Sequence, residues 1–115
     1  MENKQIQVMR VSGNSMEPIL SSGDRILVQK RAAYCVGDIL VFDHEGSFLV
    51  HRLCYEIEGK CYFMGDNKSS VEAIEEKDIL GKVVLINRNN IWYGVEKNGD
   101  YERIKSMLKL IKNKR

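Results

Sequence analysis

Turn signals recur along this chain at intervals that leave room only for short strands between them: Gly23-Asp24, Gly37-Asp38, His44-Glu45-Gly46, Glu58-Gly59 and Gly65-Asp66-Asn67. Glycine and asparagine tolerate the positive φ of tight turns, and aspartate caps a turn by bonding backbone amides close to it. The intervening runs, at 7–11, 25–29, 39–43, 48–55, 60–64, 81–88 and 92–95, carry β-branched and aromatic residues that favour strands over helices. A mainly β chain follows, folded as a small, strongly curved sheet or barrel. Gly46, between Ile39-Leu40-Val41-Phe42 and Phe48-Leu49-Val50, predicts a hairpin.

The period changes near the C-terminus. Tyr101, Ile104, Met107 or Leu108, and Ile111 recur at helical spacing after Asp100, a good N-cap residue. This predicts one short amphipathic helix at about 100–112, its apolar stripe packed on the core. No repeat or linker interrupts the chain, and 115 residues suffice for one modest core, so residues 1–115 are read as a single domain.

With 18 basic against 16 acidic residues, no general field makes nucleic acid the expected partner. The asymmetry is local: Lys105, Lys109, Lys112, Lys114 and Arg115 crowd the C-terminus, as a solvated helix face or a peripheral membrane contact. No run approaches the roughly 20 apolar residues of a membrane span, and Met1-Glu2-Asn3-Lys4-Gln5 lacks the apolar core of a secretory signal. Cys35, Cys54 and Cys61 cannot all pair and show no metal-ligand spacing, which fits free thiols in a reducing compartment. The expectation is a cytoplasmic protein without metal or cofactor.

The chemistry concentrates in two places. Val11-Ser12-Gly13-Asn14-Ser15-Met16-Glu17-Pro18 offers a serine in a glycine-containing turn, and Leu49-Val50-His51-Arg52-Leu53, 36 positions after Ser15, offers a histidine inside an apolar strand. A serine hydroxyl becomes a nucleophile only when a base takes its proton. The pair therefore proposes a hydrolase.

These residues carry a resemblance. Ser12-Gly13-Asn14-Ser15-Met16-Glu17-Pro18 resembles the serine box of type I signal peptidases, Leu49-Val50-His51-Arg52-Leu53 their base-bearing box, and Gly65-Asp66-Asn67 the later Gly-Asp-Asn box. All three occur in the family's order, and Gly13-Asn14-Ser15-Met16 is also similar to the self-cleaving SOS-repressor branch of the same superfamily. Histidine in place of the usual bacterial lysine resembles the endoplasmic-reticulum and archaeal type. An imidazole titrates near neutrality without the deep burial that a lysine base requires.

The resemblance implies the catalytic-core fold of the signal peptidases and a serine endopeptidase with Ser15 as nucleophile and His51 as base. It implies an orienting acid, Asp66, Glu72 or Asp78, with Glu72 standing nearest the place where the histidine-type relatives carry one. Asp66 is equally a turn-holding residue. Gly13 occupies the position of a serine that donates to the oxyanion in many relatives, which leaves that task to backbone N–H groups around Gly13, Asn14, Ser15 and Met16.

The implied substrate is an extended peptide or precursor protein, from which a soluble leader peptidase removes a leader or signal segment. A peripheral membrane signal peptidase and a catalytically silent peptide-binding module are the alternatives. The 14 residues given before Ser15 are expected to be too few for the DNA-binding module of a repressor.

Overall fold

A computed structural model describes residues 6–95. Eight strands follow in order: β1 (Ile6–Arg10), β2 (Arg25–Gln29), β3 (Ile39–His44), β4 (Ser47–Ile57), β5 (Lys60–Met64), β6 (Val71–Glu75), β7 (Ile79–Arg88) and β8 (Ile91–Gly94). A single 3-10 turn, Glu76–Asp78, precedes β7. The strands form one antiparallel sheet in the order β1-β2-β7-β3-β4-β5-β6, with β8 paired to β7, and it curls into a half-barrel. The expected C-terminal helix at about 100–112 lies outside the described residues.

The curl has local causes. Register shifts at Leu27/Val28, Val41/Phe42 and Leu53/Tyr55 interrupt three of the strand pairs, and an extra residue on one side of a ladder bends the strand and increases its twist. Gly81 permits close strand packing: a Cβ there would stand 2.8 Å from Val28 Cγ1 and 2.9 Å from the Gln29 backbone.

The continuous apolar run in β3 is buried on both faces. Ile39 and Val41 join Val11, Met16, Leu20, Ile26, Val28, Val83 and Ile86 in one core cluster, whereas Leu40 and Phe42 join Leu53, Cys61, Phe63, Ile74 and Ile79 in another. Alternation along a strand makes this division, and only a strand covered on both sides can use four successive apolar residues.

The hairpin around Gly46 forms as expected, with Ile39 opposite Arg52 and Leu40 opposite His51. All three cysteines are free, Cys35 exposed and the other two buried. Cys54 packs beside Met64 while Cys61 belongs to the Phe42 and Phe63 cluster. β6 had not been expected: Val71-Glu72-Ala73-Ile74-Glu75 follows two serines and carries two glutamates, a composition depleted in strands. It forms as the edge of the sheet by pairing with β5.

Candidate active site

The segment between β1 and β2 carries Ser15, and its conformation is set by anchors on both sides. Val11 exchanges backbone bonds with the Gly23-Asp24 turn, its N–H to Asp24 O at 2.8 Å and its O accepting from Gly23 N–H at 2.8 Å. Met16 and Leu20 drive their side chains into the core, 1% and 0% exposed, and Leu20 N–H donates to Met16 O at 2.9 Å. Gly13 takes φ +82°, a value that glycine adopts without the strain a Cβ imposes. Ser15 is left half-buried on a turn whose neighbours cannot easily move.

A second turn buttresses it. Asn67 N–H donates to Ser15 O at 2.7 Å and Asn67 Nδ2 to Asn14 O at 3.1 Å. Gly65 packs so closely that a Cβ on it would lie 2.6 Å from Ser15 O. The Ser-containing and Gly-Asp-Asn boxes, far apart in sequence, therefore share one surface.

His51 enters from β4. It is 6% exposed, stands opposite Leu40, and lies edge-on to Phe42 with ring centroids 6.0 Å apart. Its Nε2 is 3.0 Å from Ser15 Oγ and its Nδ1 2.7 Å from Glu72 Oε1. Register explains how Glu72 reaches it. Glu72 pairs with Phe63 and Phe63 with Leu53; directly opposed residues share a face, and His51 lies two positions from Leu53 on that face.

The protons follow from the partners. A carboxylate only accepts, so Nδ1 is the nitrogen that donates toward Glu72, and in the neutral imidazole Nε2 then offers its lone pair to the Ser15 hydroxyl. The His51 and Glu72 side chains are 8% and 14% exposed, so water weakens their interaction less than it would at a surface.

The other acids stand elsewhere. Asp66, which had been considered for the catalytic set, is fully buried and spends both carboxylate oxygens on Arg52, accepting from Nε at 2.9 Å and Nη2 at 2.7 Å. Arg52 Nη1 also donates to Gly37 O at 2.8 Å. Asp66 is thus corrected from a partner of His51 to the brace that ties the Gly-Asp-Asn turn to β4. Asp78 closes the 3-10 turn before β7.

Met16, placed with the oxyanion group, is corrected in part as well. Its side chain is core, its sulfur accepting from Asp66 N–H at 3.4 Å, so only its backbone remains available to a ligand. Asn14 and Gly13 are exposed beside Ser15. Sequence reading assigned Arg52 no role; its only signal was a charge within an apolar strand, which demands a buried partner.

A groove of about 100 Å³ opens over Ser15 and His51, walled by Met9 and Arg10 of β1 on one side and Phe48, Leu49 and Val50 of β4 on the other. Among the described residues no three His, Cys, Asp or Glu side chains gather as a metal site requires, and no helix is long and apolar enough to cross a membrane.

A family model described as Peptidase S24-like matches residues 1–84, a span that contains Ser15, His51, Asp66 and Glu72. No curated protein matches the chain.

Proposed function

This chain belongs to the Peptidase S24-like family, within the superfamily of SOS-repressor and signal peptidases, and from that membership we propose a serine endopeptidase of the histidine-base type, with Ser15, His51 and Glu72 as its triad. The observation that carries this reading is the unbroken line from Ser15 Oγ through the imidazole to Glu72, 3.0 Å and 2.7 Å. Both distances are within direct proton-transfer reach.

In the reaction, His51 Nε2 takes the hydroxyl proton as Ser15 Oγ attacks a peptide carbonyl. The imidazolium, held by Glu72, then protonates the leaving amine, and a water activated by the same nitrogen hydrolyses the acyl-enzyme. Glu72 fixes the ring's orientation and tautomer and faces the imidazolium formed during the reaction, without itself taking the proton. Backbone N–H groups at the Ser15 turn are the donors for the oxyanion, and the open space at Gly13 admits the substrate carbonyl.

The substrate is an extended peptide. Among the described residues β1 lies at the edge of the sheet and leaves one side of its backbone unpaired. On β4, pairing with β5 starts only at Arg52, so the stretch before His51 has no strand neighbour on that side among the described residues. Two facing strand edges above Ser15 suit strand addition, with alternate side chains dropping into shallow pockets. Removal of a leader or signal segment from a precursor is the cleavage such a groove supports best.

The test is labelling by a fluorophosphonate, whose phosphorus is attacked by an activated serine with loss of fluoride, together with cleavage of a random peptide mixture. Wild-type protein should be labelled at Ser15 and should cut extended peptides. Ser15→Ala and His51→Ala should do neither while keeping the fold. Turnover by purified Ser15→Ala at the wild-type rate would end the proposal.

A further inference from the structure

Arg10 and Arg25 stand directly opposite one another across the β1–β2 ladder, and Arg25 stands opposite Asn87 on β7. Directly opposed residues share a face, so a row of Arg10, Arg25 and Asn87 crosses three strands. This row borders a recess of about 560 Å³, completed by Arg88, Asn89 and Asn90. Arg10 also borders the groove over Ser15 and His51. We propose that the recess is an anion-accepting subsite that holds a substrate carboxylate, making the enzyme selective for an Asp or Glu side chain close to the scissile bond; this rests on the peptidase reading above.

The charge balance of the recess selects its ligand. Three arginines face one aspartate, Asp24. Arg88 is already committed: it donates to Asp24 through Nη2 at 2.6 Å and Nε at 3.0 Å, and to Ile19 O and Ser21 Oγ. Among the described residues Arg10 makes one bond, Nη1 to Gly23 O at 3.3 Å, and Arg25 one long bond, Nη2 to Asn87 Oδ1 at 3.4 Å. No carboxylate among the described residues pairs with either. A guanidinium has five N–H donors, so both retain most of theirs for a ligand.

Like charges directly opposed on a ladder cost stability, and an anion between them removes that cost while accepting charge-assisted bonds from both. The amides of Asn87, Asn89 and Asn90 add neutral donors at the far wall. A cation would be repelled here, and an apolar side chain would gain little from walls of this polarity.

Geometry ties the subsite to the cleavage site. Arg10 alternates with Met9 and Val11, which turn toward the core with Ile26, so in a peptide added as a strand beside β1 only side chains of one parity, those on the face of Arg10 and Arg25, reach the recess. A carboxylate at such a position enters the recess, and one on the other side of the cut does not.

The experiment walks a single Glu through each position of a quenched peptide that the full chain cleaves, with Gln as the control at the same position, and compares kcat/KM. Glu should be favoured over Gln by about tenfold at positions on one side of the cut only, the scale of one charge-assisted contact at a partly exposed site. In Arg10→Gln/Arg25→Gln the ratio should fall to near unity, and Arg10→Lys should retain a preference. Equal rates for Glu and Gln everywhere, or a preference that survives the double substitution, overturns the subsite.

Fluorescein-labelled versions of the same peptides, bound to Ser15→Ala and read by anisotropy, separate this proposal from the one beneath it. Tighter binding of Glu peptides that is lost in the Arg10→Gln/Arg25→Gln background upholds the subsite even where no peptide is cut. Equal binding of Glu and Gln peptides overturns it, whatever the peptidase activity.

Discussion

The backbone N–H of Asn67 donates to the carbonyl oxygen of Ser15 across 2.7 Å, so the turn after β5 holds the turn before β2. Gly65 makes this approach feasible, because any side chain there would press on Ser15. Gly65→Ala should therefore displace Ser15 relative to His51. We expect kcat to fall by about a hundredfold, the effect of roughly 1 Å of misplacement, with a stability loss of about 1–3 kcal/mol from overpacking. Steady-state kinetics beside thermal melting tests this, and an unaltered kcat would show that the Ser15 turn yields without consequence.

Glu72→Gln keeps the shape of the side chain but can offer an N–H to His51 Nδ1. That favours the tautomer with its proton on Nε2, the wrong nitrogen for accepting from Ser15 Oγ. The expected result is a kcat lowered by about 10²–10⁴, with KM little changed, since the substrate groove is untouched. A change confined to KM would place Glu72 in substrate binding instead.

Asp66→Ala leaves the Arg52 guanidinium, 2% exposed, without its carboxylate. Breaking a buried pair from one side costs about 3–5 kcal/mol, whereas replacing both partners by apolar residues costs far less. Urea denaturation should find Asp66→Ala markedly destabilised and Arg52→Met/Asp66→Leu closer to wild type. Loss of activity in Asp66→Ala should track the unfolded fraction.

Asp24 gives stability a pH dependence. Its hydrogen bond from Arg88 holds the carboxyl below its ordinary value of 3.8, against the opposing effect of burial and with help from the Ser21 N–H. A depressed folded pKa means stability that is complete above the unfolded value and lost as pH falls through the folded one. Asp24→Asn should thus be less stable than wild type at neutral pH, by about 1 kcal/mol because Arg88 remains partly exposed. The gap should narrow as pH drops below about 4, as read from urea midpoints across that range.

The thiols should divide by burial. Desolvation pushes Cys54 up to about 12 and Cys61 up to about 11, and a thiol without its thiolate reacts slowly. At mildly alkaline pH the folded protein should show one fast thiol toward Ellman's reagent, the exposed Cys35, and all three only after denaturation.

Much of the fold could be read from local chemistry. The Gly-containing turns, the alternating runs and the four-residue apolar core of β3 each follow from backbone freedom and burial, which act over a few residues. β6 escaped that reading because Glu72 and Glu75 suit a strand only at an edge, and which strand is an edge depends on the whole sheet. The predicted C-terminal helix and its basic face fall on residues outside the described part of the chain.

For the site, sequence alone determined which residue types were present: a serine in a glycine turn, a histidine in an apolar strand, and three acids to choose from. The tertiary structure decided their partners, since pairing depends on register. The β4–β5–β6 ladder carries Glu72 onto the face of His51, while Arg52, one position along and on the opposite face, claims Asp66. Distances set by strands so remote in sequence are fixed by the sheet's hydrogen bonds and packing, and no local pattern encodes them.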